Sequence, residues 1–127
     1  LFAKNAKVTT FSHAFAYTGI GAIPENLFAN CTEVTSFNST FYHCGNLTTI
    51  PAGIFDNNRK VNDFFDVFNN NYKATGESPY TVINGKKVHL YERKNYTDEF
   101  VTPTSFNGAF YYCYQLTDYA NIPTEWK

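Results

Sequence analysis

The sequence predicts a mixed, β-rich fold: a short right-handed solenoid of about four coils, in which short parallel strands alternate with short helical turns. Three observations lead to this prediction. The apolar pattern repeats every 26–27 residues, a half-period of 13 is visible inside each unit, and one stretch of the second half has the pattern of a β-hairpin. A unit of this length is typical of one solenoid coil, which buries its apolar face against neighbouring copies.

The first three coils align through their apolar residues. The stretch Leu27–Phe37 matches Leu1–Phe11, 26 residues earlier, and Ile54–Phe64, 27 residues later. Phe residues recur at the repeat length, which is the pattern of a ladder of rings in the core. The predicted coils span about 1–26, 27–53, 54–75 and 88–127, and together they form a single repeat domain, 1–127.

Within a coil, a short Phe-x-x-Cys turn precedes a stretch that favours a strand. Val34–Phe37 and Leu47–Ile50 alternate apolar and hydroxyl residues, which suits a strand with one buried face. Such short strands are not stable alone. Stacking the same stretch from successive coils therefore predicts a parallel ladder.

The fourth coil is interrupted by a hairpin insertion over about 76–91. Tyr80–Ile83 and Lys86–Tyr91 favour strands, and Asn84-Gly85 between them supplies the two positive-φ residues of a type I′ turn. The coil resumes near Thr104–Phe110, which matches Thr35–Phe41. The insertion is expected to project from the edge of the solenoid.

Composition excludes several classes of partner. The formal net charge is −1 and 17% of the residues are charged, so the chain lacks the basic face that nucleic-acid binding requires. No run of 18 apolar residues occurs, so no transmembrane segment is predicted, and no signal peptide is visible. The chain starts at Leu1 without Met, and we expect a signal or anchor segment to lie outside it.

One stretch of the chain has the pattern Phe-x-x-Cys-x-x-Leu-Thr-Thr-Ile-Pro, carried by Phe41, Cys44, Leu47–Ile50 and Pro51. This pattern resembles the BspA-like leucine-rich repeats of bacterial (Bacteroides-type) cell-surface proteins. The resemblance covers residues 1–71 and about 102–127. It implies a leucine-rich-repeat-type solenoid, secreted or anchored at the cell surface, with a role in adhesion and no catalytic residues. The coil is a few residues longer than the family unit, and Phe replaces many Leu or Ile positions.

The residues with reactive or metal-binding side chains form no recognisable catalytic or metal-binding motif. Cys31, Cys44 and Cys113 recur at one position of the half-repeat, which favours a small buried side chain; a Cys44–Cys113 disulfide is the alternative. No zinc-site spacing of His and Cys occurs, and no thiol has an evident base beside it. The sequence therefore indicates no catalytic residue, no metal ligand and no cofactor, and predicts that the protein is not an enzyme.

Tyrosines crowd the second half of the chain. Tyr carries a polar hydroxyl on an apolar ring, which suits a binding surface. The candidate ligand contacts belong to the insertion and the last coil: Tyr80, His89, Tyr91, Tyr96, Tyr111, Tyr112 and Tyr114. Packing of the insertion onto the solenoid is the alternative explanation of these rings.

We therefore predict a non-catalytic, surface-exposed interaction module that binds a host or partner protein through its repeat face and the Tyr-rich insertion. A carbohydrate-binding module, marked by coplanar exposed rings, and a structural spacer of a longer surface protein are the alternatives. The expected partner is a protein or glycan ligand on host or neighbouring cells. The uncapped N-terminal coil also predicts edge-to-edge self-association.

Overall fold

A computed structural model describes residues 1–127, most of which lie outside strands and helices, in turns and irregular segments. Its regular elements are two strands and three short 3₁₀ helices: β1 (Tyr80–Ile83), β2 (Lys86–His89), η1 (Leu90–Asn95), η2 (Tyr119–Asn121) and η3 (Thr124–Trp126). The sequence repeats are numbered 1 to 4 and span residues 1–26, 27–53, 54–75 and 104–127.

The prediction of a solenoid of four coils with repeated parallel strands is wrong. The chain has only two strands, β1 and β2, and they pair with each other in antiparallel orientation. Parallel pairing between repeats is confined to isolated bridges, such as Thr10 with Ser36 and Ser36 with Asp63. The stretch predicted as a strand around Ser36 thus contributes one bridging residue between turns.

Left-handed backbone conformations lie between the stretches that were predicted as strands. Two positions of the repeat have positive φ in every copy: His13, Ser39, Asp66 and Gly108 at the first, and Tyr17, His43, Asn70 and Tyr112 at the second. A residue with φ near +60° is far from the extended region, so a strand cannot continue through it. These turn residues limit the length of any strand in the repeat, although they lie outside the predicted stretches Val34–Phe37 and Leu47–Ile50.

Backbone hydrogen bonds nevertheless join neighbouring repeats. Of 62 backbone–backbone bonds, only 7 lie within strands and helices. Between repeats 1 and 2, alternate N–H groups donate to alternate carbonyls at 2.8–3.1 Å: Phe11 to Ser36, His13 to Asn38, Phe15 to Thr40 and Tyr17 to Tyr42. The N–H groups between these donors, such as that of Ala14, bond within their own turn.

Stacked phenylalanine rings form much of the core. The rings of Phe15, Phe41, Phe68 and Phe110 follow one another with 5.4–5.9 Å between centroids. Phe41, Phe68 and Phe110 belong to a cluster of 25 buried hydrophobic residues, and the half-buried Phe15 packs against it. Burying one such side chain contributes roughly 1.5–3 kcal/mol, so these rings dominate the packing. The periodic Phe residues were expected at these core positions.

The predicted hairpin is confirmed. Tyr80 pairs with His89 and Ile83 with Lys86, so the turn consists of Asn84 and Gly85. Their φ values of 50° and 78° are those of the expected turn type. Strand β2 ends at His89 and η1 follows it directly.

Arg93 of η1 anchors the insertion against repeat 3. The side chain is buried, and its guanidinium donates to the carbonyls of Phe55 and Asn58 at 3.0 and 2.9 Å. The ring of Phe100 lies 4.3 Å from the guanidinium carbon. Burial lowers the pKa of Arg93 to about 9, so it remains charged at neutral pH. These contacts hold the insertion close to the core.

Candidate functional site

The structure divides the predicted contact residues into two groups. Tyr80, His89 and Tyr91 lie together at the base of the hairpin. Tyr111, Tyr112 and Tyr114 lie together on repeat 4, and Tyr96, just after η1, contacts the rings of neither group.

His89 is the centre of a polar cluster at the base of the hairpin. Its Nδ1 lies 2.6 Å from Glu92 Oε1, and its Nε2 lies 2.7 Å from Glu77 Oε2. Each ring nitrogen of His89 thus faces a carboxylate oxygen, and an ionised carboxylate oxygen can only accept a hydrogen bond. The ring of Tyr91 stacks on it with 5.2 Å between centroids.

Glu77 contacts two basic side chains of β2 at once. Lys87 Nζ lies 2.9 Å from Glu77 Oε1, while His89 contacts the other carboxylate oxygen. The hydrogen bond from Lys87 is the main cause that lowers the pKa of Glu77. Glu77 therefore stays ionised under mildly acidic conditions.

Asp118 links this polar cluster to repeat 4. Its carboxylate accepts the backbone N–H and the hydroxyl of Ser78, at 2.9 and 2.6 Å, and the hydroxyl of Tyr91 at 3.2 Å. Burial, with a contribution from the charge of Asp118, raises the pKa of Tyr91, which stays a neutral donor. The polar cluster thus bonds the insertion to the last repeat, and its polar groups are largely engaged with one another.

Four tyrosines of repeat 4 form a second and more exposed group, which we call the tyrosine cluster: Tyr111, Tyr112, Tyr114 and Tyr119. Their rings contact in series, with centroid separations of 4.1, 5.4 and 5.4 Å. The first three residues are 43%, 40% and 58% exposed. Nζ of Lys127 lies 4.5 Å from the ring of Tyr119 at one end of the series.

The local backbone turns these tyrosines outward. Phe110 and Cys113 are both buried, and they fix the chain on either side of Tyr111 and Tyr112. Tyr112 has a φ of 64°, so the chain reverses there and returns to the core at Cys113. The two intervening side chains therefore project into solvent.

The tyrosine cluster offers a partner both hydrogen-bonding hydroxyl groups and aromatic rings. The neighbouring Tyr112 hydroxyl raises the pKa of Tyr111, and burial raises that of Tyr119, so both phenols are neutral donors and acceptors. Successive ring planes are inclined by 46°, 71° and 74°. The tyrosine cluster is therefore an uneven aromatic surface and not a flat platform.

A second aromatic group, which the sequence reasoning missed, lies on repeats 1 and 2. Tyr17 is 70% exposed, and its ring lies 5.4 Å from that of Tyr42 and 5.3 Å from that of His43. Tyr17 occupies the same left-handed position of the repeat as Tyr112. An alignment of the repeats places Tyr17 and Tyr112 at the same position, and this equivalence could have identified the group from the sequence.

The recurring cysteines are hydrogen-bond donors in the core. All three thiols are free, so the Cys44–Cys113 disulfide does not form. Cys44 Sγ lies 3.1 Å from the carbonyl of Phe15, and Cys113 makes the same contact in repeat 4. Burial raises the pKa of Cys113 to about 12. Asn71 takes this position in repeat 3 and donates to Phe41, a relation that the sequence reasoning also missed.

No group of three or more His, Cys, Asp or Glu side chains is placed to hold a metal ion. None of the helices has the length and apolar character needed to cross a lipid bilayer. No protein-family model and no curated protein matches the chain.

Proposed function

We propose that the protein is a non-catalytic binding module that holds a protein partner through the tyrosine cluster. The observation that carries the proposal is the series of contacting rings, three of which are at least 40% exposed. Tyrosine is enriched at protein interfaces because it buries a large ring while its hydroxyl keeps a hydrogen-bond partner. A few such residues carry most of the binding energy of an interface.

The geometry of the tyrosine cluster favours a protein over a glycan. Sugar rings stack on the faces of exposed aromatic side chains, and an extended glycan needs several faces in one plane. The inclined rings, with angles of 46–74°, present edges and faces in alternation. The mixed side chains of a polypeptide fill such a surface better than a flat saccharide does.

Two features support a role without catalysis. The carboxylates and hydroxyls of the polar cluster bond to one another and to the backbone, so they hold the insertion in place. The thiol of Cys113 is buried, and at about 12 its pKa keeps it protonated, which is the opposite of an activated nucleophile.

The setting we propose is the bacterial cell surface or the extracellular medium. This part of the proposal rests on the repeat pattern of residues 41–51, which resembles BspA-like surface proteins. Adhesion to a host or neighbouring cell is the corresponding role.

The experiment is a binding screen of the purified chain against an array of extracellular matrix proteins and, in parallel, a glycan array. We expect saturable binding to a protein, weakened by at least about tenfold in Tyr112→Ala and in Tyr114→Ala, because truncating a central ring of an interface costs about 2 kcal/mol or more. Tyr17→Ala is the matched control, since it removes an exposed ring from the position equivalent to Tyr112.

Each outcome decides between the alternatives. Binding to glycans alone would replace the proposal with a carbohydrate-binding module. A folded chain that binds neither array would favour a structural spacer. Equal losses in Tyr17→Ala and Tyr112→Ala would show that the tyrosine cluster is not the specific contact.

A further inference from the structure

We propose that a surface pocket on repeats 1 to 3 binds a quaternary ammonium group, in which methyl or methylene groups surround a positively charged nitrogen. This pocket, which we call the Asp66 pocket, has a volume of about 400 Å³ and contains no residue of the tyrosine cluster. Ligand pockets of proteins typically measure about 300–1,000 Å³. The residues that line it are His13, Tyr17, Asn38, Ser39, Tyr42, Phe65 and Asp66.

Most of the Asp66 pocket lies on the two central repeats. Five of its seven lining residues belong to repeats 2 and 3, each of which bonds to a neighbouring repeat on both sides. The N–H of Ser39 donates to the carbonyl of Phe65 at 2.8 Å, and the N–H of Asp66 donates to that of Asn107 in repeat 4 at 3.1 Å. The backbone that carries the carboxylate is therefore fixed by the junctions between repeats.

The carboxylate of Asp66 is half-buried and enters no salt bridge. Its Oδ1 accepts a hydrogen bond from Asn69 Nδ2 at 2.9 Å, whereas its Oδ2 bonds to no group of the protein. Burial is the main cause that raises the pKa of Asp66. The negative charge is thus partly removed from water without a paired cation, and a bound cation compensates for that loss of hydration.

The serine and the asparagine of the Asp66 pocket already have partners. The hydroxyl of Ser39 donates to Asn38 Oδ1 at 2.8 Å, and Asn38 Nδ2 donates to Asp63 Oδ2 at 3.3 Å. A primary ammonium group brings three N–H donors that each need an acceptor, whereas a quaternary ammonium group brings none. A pocket with one free carboxylate oxygen and few other acceptors therefore favours the quaternary group.

Three aromatic rings complete the lining of the Asp66 pocket. The rings of Tyr17 and Tyr42 lie 5.4 Å apart between centroids and are inclined by 63°, and Phe65 is 38% exposed. The face of an aromatic ring attracts a cation that lies within about 6 Å of its centroid, and quaternary ammonium ligands are recognised in this way. The rings supply contacts for the methyl groups, and Asp66 supplies the opposite charge.

The test is a nuclear magnetic resonance titration of the full chain with choline chloride. It is made at pH 8, where ordinary carboxyl groups are ionised and ordinary histidines are neutral. We expect amide shifts at Tyr42, Phe65 and Asp66 that saturate with a dissociation constant on the order of 1 mM. The neutral isostere of choline, a dimethylbutanol with carbon in place of the nitrogen, should bind at least about tenfold more weakly.

Asp66→Asn is the matched variant, because an amide oxygen still accepts the hydrogen bond from Asn69 and asparagine tolerates the left-handed φ of 54° at this position. We expect it to weaken choline binding at least about tenfold. Phe65→Leu keeps an apolar side chain without a ring face, so it should weaken binding severalfold. Tyr114→Ala removes an exposed ring outside the Asp66 pocket and should bind choline as the wild type does.

Equal binding of choline and its neutral isostere, undiminished binding in Asp66→Asn, or shifts that do not saturate by about 50 mM would overturn the proposal. Co-sedimentation with vesicles of phosphatidylcholine, but not of phosphatidylglycerol, would identify the source of the group as a lipid headgroup, provided that Asp66→Asn abolishes it. Binding of free choline without vesicle binding would identify a soluble compound. None of these measurements involves the tyrosine cluster, so this proposal and the proposed function fail separately.

Discussion

Replacing Asn71 with alanine tests whether the recurring Cys and Asn position holds the repeats together. Asn71 is 0% exposed, and its Nδ2 donates to the carbonyls of Phe41 and Phe68 at 2.7 and 2.8 Å. Its Oδ1 accepts the N–H of Cys44 at 3.1 Å. Alanine removes all three bonds and leaves three buried backbone groups without that partner.

The expected loss of stability is large for a chain of this size. Each buried polar group that loses its partner costs about 1–3 kcal/mol, and neighbouring groups overlap, so we expect Asn71→Ala to lose about 3–5 kcal/mol. A domain typically has a free energy of unfolding of about 5–15 kcal/mol. The substitution should therefore remove about a fifth of it or more.

Asn71→Cys is the matched comparison, because Cys44 and Cys113 fill the equivalent positions in repeats 2 and 4. A thiol can donate to Phe41 but cannot replace the other two bonds, so its loss should be intermediate. Guanidinium unfolding followed by the fluorescence of Trp126, the one tryptophan, measures both variants. A loss below about 1 kcal/mol for alanine, or equal losses for alanine and cysteine, would refute the reasoning.

Three other predictions follow from single contacts. Gly108→Ala should destabilise the protein by more than Gly85→Ala in thermal unfolding: both residues have positive φ, but an added Cβ at Gly108 would clash with the carboxylate of Asp66, whereas the space at Gly85 is open. The pKa of Glu77 is lowered on folding, so its stabilising effect is present above the unfolded value near 4.5 and is lost as the pH falls through the folded value. The protection of the hairpin amides, relative to their intrinsic exchange rate at each pH, should therefore fall with acid in the wild type and depend less on pH in Glu77→Gln. The Cys113 thiol, with a pKa of about 12, should resist iodoacetamide in the native protein at neutral pH and react after unfolding, as mass spectrometry would show; rapid native labelling would contradict its burial.

The sequence pattern predicted those elements whose conformation depends on a few neighbouring residues. The hairpin depends on Asn84 and Gly85, two residues that adopt positive φ at little cost, and their identity alone indicated the turn. The periodic Phe residues and the recurring cysteines were expected in the core, and rings such as those of Phe41 and Phe68 do stack there. In these cases the side chain and its spacing carried enough information.

The backbone conformation of the repeats could not be predicted in this way. His13, Tyr17 and Asp66 adopt positive φ although their residue types do not demand it. Their conformation is held by hydrogen bonds to neighbouring repeats, such as the one from Tyr17 N–H to the carbonyl of Tyr42. A pattern of alternating side chains cannot reveal bonds to residues far away in the sequence, so the predicted strands were wrong.

The residues of the candidate site were likewise only partly predictable from the sequence. Composition indicated that tyrosines of the second half matter, but it did not separate Tyr91, which bonds to Asp118 at the base of the hairpin, from Tyr112, which faces solvent. Arg93 carries a charged side chain that the sequence analysis did not single out, yet it is buried against two carbonyls of repeat 3.

The sequence by itself determined the repeat length, the hairpin turn and the residue types that fill the core, because each depends on spacing and on the chemistry of single residues. Only the tertiary structure decided the left-handed turns, the burial of Arg93 and the exposure of the tyrosine cluster. Those features depend on hydrogen bonds and packing between segments that are about 25 or more residues apart in the chain. The hydrogen bonds and packing contacts that stabilise these features form only when the repeats lie side by side.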